Sequence, residues 1–169
     1  MKWLTLALLG VTIACSATTS NQPRVAASGI GSPQADFSKY QTYSFGPANQ
    51  PASGFATTER SLEVQHKLAS LVGASLQERG YQPSTDKADL LIKISAGSGT
   101  FDDEKVDRGG PSSVKVPAGV IGVDAFDSAT GVTIWHGSAF AEIDPQRIDE
   151  QLLSRGVKQM LASFPNRAR

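Results

Sequence analysis

The stretch GVIGVDAFDSATGVTIWHGSAFAEI, residues 119–143, carries the clearest structural signal in the chain. An apolar run over residues 120–126 and a second run over residues 132–143 flank the polar segment 127–131, which ends in a glycine. A five-residue connection of this kind is typical of a longer β-hairpin loop. The stretch therefore predicts two antiparallel strands, with Trp135 and Phe140 as candidates for core packing.

Two amphipathic helices and two further strands are predicted around this hairpin. Apolar residues recur at helical spacing over residues 59–79, with Thr57 or Thr58 as the N-cap and Gly80 as a left-handed C-cap, and again after Asp144-Pro145 until Pro165. Alternating apolar residues predict strands over 36–45 and 86–96. The polar, glycine-rich residues 97–117 are predicted to form a loop.

This order of strand, helix, strand, hairpin and helix predicts the fold class. Strands interrupted by two amphipathic helices favour a two-layer α+β domain. We expect a mainly antiparallel sheet of four to five strands with both helices on one face, over residues 35–165. The last residues, 166–169, are expected to form a frayed tail.

The chain begins with the pattern of a secretory signal. Lys2 precedes an apolar run over residues 3–14, which is shorter than the ~20 residues of a membrane-spanning helix. The lone cysteine, Cys15, follows Ala14 in a way that resembles the lipobox of bacterial lipoproteins, although Thr12 stands where Leu is usual. The resemblance implies that residues 1–14 are a signal peptide and that Cys15 carries lipid. The alternative is an ordinary signal cleaved elsewhere, for instance after Ala17.

Residues 15–34 follow this signal and are rich in Ser, Thr, Ala, Gly and Pro. That composition predicts a flexible tether between the lipidated cysteine and the domain. An edge strand at Val25-Ala26-Ala27 is the alternative for part of it. Ser16, where an aspartate tends to retain lipoproteins in the inner membrane, implies by the same resemblance an outer-membrane protein that faces the periplasm.

The composition and the candidate side chains give little support to a catalytic function. The chain has 16 basic and 16 acidic residues, and loss of Lys2 with the signal leaves 15 basic ones, which argues against a general nucleic-acid binder. His66 lies on a polar helix face, and His136 has no evident catalytic partner. The acidic cluster Asp102-Asp103-Glu104 is interpreted as a solvated loop tip. We predict no catalytic residue, no cofactor and no metal site.

Several short motifs occur in a characteristic order along residues 24–165. They are Asp36-Phe37-Ser38-x-Tyr40-x-Thr42-Tyr43, Arg79-Gly80-Tyr81, Ala88-Asp89-Leu90, Trp135-His136-Gly137 and Phe164-Pro165. Together they resemble the bacterial lipoproteins grouped as domain of unknown function 4136. The resemblance implies an α+β envelope lipoprotein and supplies no catalytic residues. We interpret the motifs as a signature of the fold first and of a site second.

Three functions are compatible with these observations. The first is a non-enzymatic, lipid-anchored periplasmic module that binds or scaffolds an envelope component, with the membrane reached through Cys15. The second is a small periplasmic hydrolase acting on cell-wall or lipid material, which would need a Ser, a His and an Asp brought together by the fold. The third is a structural subunit that adds an edge strand to a partner.

Overall fold

The structure is a computed structural model that describes residues 23–107 and 110–167. Side chains are described for all of these residues except 105–107, 110 and 111. The predicted signal peptide, Cys15 and Ala17 lie outside the described residues, so lipidation stays a prediction. Within the described ranges, no helix combines the length and the apolar character that crossing a membrane would require.

The described chain forms one six-stranded sheet and two helices. The strands are β1 (Val25–Gly31), β2 (Thr42–Phe45), β3 (Gln82–Pro83), β4 (Leu90–Asp107), β5 (Gly110–Asp127) and β6 (Thr133–Glu142), and the helices are α1 (Glu59–Glu78) and α2 (Glu150–Met160). The sheet order is β1-β6-β5-β4-β2-β3. The α+β class is confirmed, whereas the sheet is mixed because β2 pairs in parallel with both β3 and β4.

The sheet is wider than the four to five strands predicted because short pieces extend both edges. Val25–Gly31, part of the predicted tether, forms β1 and pairs antiparallel with β6, as the edge-strand alternative proposed. A Cβ at Gly29 would lie 2.5 Å from the Met160 carbonyl oxygen and from Ser163 Oγ. A composition of small residues therefore allows close packing at this edge, although the same composition suggested a tether.

The predicted loop over residues 97–117 is instead a continuation of β4 and β5. Their antiparallel ladder runs from Leu90↔Asp127 to Asp107↔Gly110. The ladder satisfies the backbone hydrogen bonds of this polar segment, and most of its described side chains are exposed or half-buried, so the apolar alternation that signals a strand is weak here. The acidic residues 102–104 consequently lie on β4 and not in a loop.

The two helix starts show one correct and one wrong prediction. Thr58 caps α1 by accepting a hydrogen bond from the Ser61 N–H, and Gly80 follows the helix with φ of 92°. Helix α2 begins at Glu150 rather than at Asp144-Pro145, because Asp149 accepts the bond from the Leu152 N–H. Asp144 accepts from the Gln146 N–H 2.8 Å away and so closes a local turn ahead of the helix.

The core lies between the sheet and the helices. One face of β4, β5 and β6 meets the buried faces of α1 and α2, and the aromatic rings gather at one end of this layer. Phe164 makes edge-to-face contacts with Trp135, Tyr81 and Phe37, at centroid distances of 5.1, 5.6 and 5.6 Å. We call this region, formed by Trp135, Tyr81, Met160, Phe164 and their neighbours, the packed end.

The motif residues hold the packed end together, as the fold-signature interpretation expects. Arg79 at the end of α1 donates hydrogen bonds to the carbonyl of Leu161, 2.8 Å away, and to that of Phe164. The Tyr81 hydroxyl donates to the Pro165 carbonyl. The accepting carbonyls lie just after the end of α2, so this motif joins the C-terminal ends of the two helices.

Two aspartates fasten the segment before β2 to the rest of the sheet. Asp127 accepts hydrogen bonds from the Tyr40 hydroxyl at 2.8 Å and the Lys39 ammonium at 3.0 Å, and these bonds lower its pKa. Asp89 accepts from the backbone N–H groups of Gln41 and Thr42, which lower its pKa as well. Both carboxylates therefore act as structural anchors within the fold.

Candidate functional site

A pocket of about 400 Å³ lies between α1, α2 and the sheet, at the end of the layer opposite the aromatic rings. We call it the interhelical pocket. Its interior is lined mainly by aliphatic side chains from both helices and from the strands: Val25, Val64, Ala96, Ile121, Ala139, Ala141, Ile143, Ile148, Leu152 and Leu153. A volume of this size is in the range of small-molecule sites in proteins.

Small residues on facing elements create this space. Ala139 and Ala141 follow Trp135 and Gly137 along the same face of β6, and Gly156 lies on the buried side of α2. A Cβ at Gly156 would lie 3.5 Å from Ala139 Cβ, which is an ordinary contact distance. The helix and the strand are thus close enough for packing at Gly156 and Ala139, where neither presents a large side chain.

The mouth of the pocket is polar and lies between the starts of the two helices. Thr58 and Asp149, the N-caps of α1 and α2, both line it, together with Arg60, Asp144 and Arg147. The Arg60 Nη1 donates to the Gln146 carbonyl 3.0 Å away, and Arg147 Nε lies 3.6 Å from Asp144 Oδ2. An apolar interior with charged groups at its opening suits an amphipathic ligand.

The side chains considered as catalytic candidates do not come together at this pocket. His136 lies on the opposite face of the sheet, where its Nδ1 is 2.6 Å from Asp124 Oδ1 and its side chain is 57% exposed. Asn49 donates to the other oxygen of Asp124 at 2.7 Å. No serine hydroxyl is hydrogen-bonded to His136 within residues 23–104 and 112–167. A Ser-His-Asp arrangement is therefore not assembled there.

The remaining candidates are also separate from the pocket. His66 is exposed on α1, as its polar helix face predicts. Asp102 on β4 accepts a hydrogen bond from Ser113 across the ladder. Over the ranges that the structure describes, no group of three His, Cys, Asp or Glu side chains could hold a metal ion.

Sequence reasoning missed the interhelical pocket because its residues read as ordinary core positions. Alanines on a strand and a glycine in a helix are common where elements pack closely, so neither predicts a cavity. Two signals were available in the run Gly137-Ser138-Ala139-Phe140-Ala141, where every residue on the Trp135 face is small, and in Gly156 on the buried face of α2. They become meaningful only when the fold places them opposite each other.

Comparisons with known proteins agree with this architecture. A PDZ domain protein from Parabacteroides distasonis aligns with a TM-score of 0.57 and 13% identity over 88% of this chain, which spans only 37% of that protein. The PelC dodecamer subunit from Paraburkholderia phytofirmans aligns with a TM-score of 0.51 and 13% identity, over 86% of this chain and 99% of PelC. At these identities, the likenesses establish the fold alone.

Family membership comes from a different comparison. A search of curated protein sequences finds no significant match. A DUF4136 protein from Bacteroides thetaiotaomicron aligns with a TM-score of 0.51 and 14% identity, over 85% of this chain and 98% of that one. The family model described as domain of unknown function (DUF4136) matches residues 31–166. That match covers most of the chain and confirms the resemblance seen in the motifs, and this protein belongs to the DUF4136 family.

Proposed function

We propose that this protein is a lipid-anchored envelope module that faces the periplasm, lacks enzymatic activity and binds a hydrophobic ligand in the interhelical pocket. The single observation that carries the binding role is the apolar cavity of about 400 Å³. Burial of apolar ligand surface there contributes roughly 25 cal/mol per Å². The interior has few polar groups that could orient a reacting substrate.

Two hydroxyl groups near the mouth, those of Thr58 and Ser61, are already engaged in the protein. Ser61 is only 5% exposed, and its hydroxyl lies 3.1 Å from the hydroxyl of Thr58. The Thr58 oxygen also accepts the capping hydrogen bond of α1. A polar ligand group placed deep in the pocket would lose its bonds to water without replacement, which is costly, so the pocket favours apolar groups.

The anchor rests on the sequence around Cys15. Two or three acyl chains bind a membrane firmly, whereas one chain binds marginally. The placement of β1 supports a short connection, because only eight residue steps separate Cys15 from Pro23, the first described residue. Those steps span at most ~29 Å. A lipid on Cys15 would therefore keep the domain close to the membrane surface.

The anchor has a direct test in cells. Metabolic palmitate labelling should mark the wild-type protein, and globomycin should cause the unprocessed form to accumulate. We expect Cys15→Ser to abolish the label and to release the protein from the membrane fraction. Unchanged mass and membrane fractionation in Cys15→Ser would contradict lipidation at this residue.

The pocket is tested with a neutral apolar dye, N-phenylnaphthylamine, and the full chain carrying Cys15→Ser in detergent-free buffer. We expect the dye to bind with increased fluorescence. Adding Ala139→Leu should reduce the affinity at least tenfold, because the larger side chain occupies the cavity. Ala26→Leu makes the same change on the exposed, opposite face of β1 and should leave binding unchanged. A dye affinity that is unchanged by Ala139→Leu would contradict the proposal.

A further inference from the structure

We infer that the ligand of the interhelical pocket is a single-chain anionic amphiphile, whose chain fills the apolar interior and whose carboxylate or phosphate head is bound by Arg60. This inference rests on the proposed function, since it assigns the chemistry of the ligand in the same pocket. It follows from the size of the cavity, the lining of its interior and the charges at its mouth.

The volume suits a ligand with one chain. A water molecule takes about 30 Å³ of liquid volume, and a methylene group is of similar size. A cavity of about 400 Å³ therefore holds roughly a dozen chain carbons. A lipid with two long chains would leave one of them in water, whereas a chain of about twelve carbons would be buried.

The Arg60 guanidinium, rather than the net charge of the mouth, favours an anionic head, because Arg60 has no carboxylate partner among the described side chains. The two aspartates that line the mouth are already engaged. Asp149 caps α2, and Asp144 accepts from the Gln146 N–H and lies near Arg147. Arg60 gives one hydrogen bond to a carbonyl. The other N–H groups of its guanidinium are available to bind an oxyanion with two parallel hydrogen bonds.

The position of β1 points to the membrane as the source of the ligand. Val25 lines the pocket and is the first residue of β1, two positions after Pro23. A membrane anchor on Cys15 would thus be connected to the same end of the sheet that holds the pocket. An amphiphile leaving the bilayer would meet the mouth within a short distance.

The experiment measures displacement of N-phenylnaphthylamine from the full Cys15→Ser chain by three ligands with twelve-carbon chains. Laurate carries a carboxylate, dodecyl phosphate carries a phosphate, and dodecanol is neutral. We expect at least one of the two anions to displace the dye at concentrations about tenfold lower than dodecanol does. Stronger displacement by laurate would indicate a preference for a carboxylate head, and stronger displacement by dodecyl phosphate would indicate a preference for a phosphate monoester head.

Arg60→Gln isolates the role of the head group. We expect it to lower the affinity for the anionic ligand about tenfold, the usual effect of losing a charge-assisted hydrogen bond. The affinities for the dye and for dodecanol should stay the same. Lys87→Gln removes a positive charge from an exposed residue that precedes β4 and does not line the pocket. It should leave the binding of the dye and of all three ligands unchanged. The inference would be overturned if the anions and dodecanol bound equally well, or if Arg60→Gln left the affinity for the anions unchanged. A dye that fails to bind at all would instead refute the pocket function.

Discussion

The two ends of the helix layer differ although they share the same strands and helices. At the packed end, Trp135 lies against Met160 and Phe164 with almost no exposed surface. At the pocket end, Ala139 and Ala141 continue the same face of β6 without a large side chain. One strand therefore begins by filling the space beneath α2 and ends by leaving it open.

The difference shows how stability and binding can be separated along one layer. Large aromatic side chains bury the most surface and dominate the energetics of a core, so the packed end is expected to supply most of the folding free energy. The pocket end forgoes that contribution, because unfilled apolar space lacks the contacts that packing would provide. Substitutions at the two ends should therefore have different consequences.

The largest expected effect is that of Trp135→Ala at the packed end. Removal of this buried ring should lower the free energy of unfolding by about 3–5 kcal/mol, the usual cost of truncating a large core aromatic. The indole Nε1 has no hydrogen-bond partner among the described residues, so the loss comes from packing. Urea unfolding followed by far-ultraviolet circular dichroism measures it.

Phe140→Ala is the control for Trp135→Ala on the same strand. Phe140 faces the other side of the sheet, where it is half-buried and contacts Phe55 and Phe101. Partial burial predicts a smaller loss of about 1–2 kcal/mol. If the two substitutions cost the same, the packed end is not the main source of stability.

The second effect is expected from Gly137→Ala, which tests how tightly the packed end is filled. A Cβ at this position would meet the Trp135 ring and would lie 2.6 Å from Met160 Cγ. Overpacking of this kind typically costs about 1–3 kcal/mol. We expect a lower urea midpoint with an unchanged slope. A variant as stable as the wild type would show that Trp135 and Met160 can move aside without cost.

Sequence patterns predicted the elements whose own residues determine them. The hairpin over residues 119–143, helix α1 with Thr58 and Gly80, and the burial of Trp135 all follow from spacing, capping and turn chemistry. The family was also evident from short motifs. Two residues of these motifs, Arg79 and Tyr81, donate the hydrogen bonds that join the helix ends.

The features that were missed depend on contacts between distant segments. Val25–Gly31, for which the sequence left a tether and an edge strand at residues 25–27 as alternatives, becomes a strand because β6 offers an edge and Gly29 allows close approach of Met160. Helix α2 is capped by Asp149 rather than by Asp144, although both residues are suitable caps. The interhelical pocket requires Gly156 to face Ala139. None of these pairings has a signature within a single stretch of sequence.

The smallest effect expected at the two ends of the layer is that of Gly156→Ala at the pocket end, and it is a gain. A Cβ there would lie 3.5 Å from both Ala139 Cβ and Ile121 Cδ1, so it fits without displacement. Replacing glycine by alanine inside a helix stabilises it by about 1 kcal/mol. We expect a higher urea midpoint, which is the opposite sign to Gly137→Ala on the facing strand.

Gly73→Ala is the matched control, because Gly73 also lies inside a helix and the substitution brings the same gain in helix propensity. Its Cβ would lie 3.3 Å from the Tyr43 hydroxyl, which is tighter than an ordinary contact. That hydroxyl donates to the Gly73 carbonyl and cannot retreat without weakening the bond. We therefore expect Gly73→Ala to gain less than Gly156→Ala. Since propensity cancels between the two variants, their difference measures the free space beside each helix. A larger gain at Gly73 would mean that the pocket end is already filled.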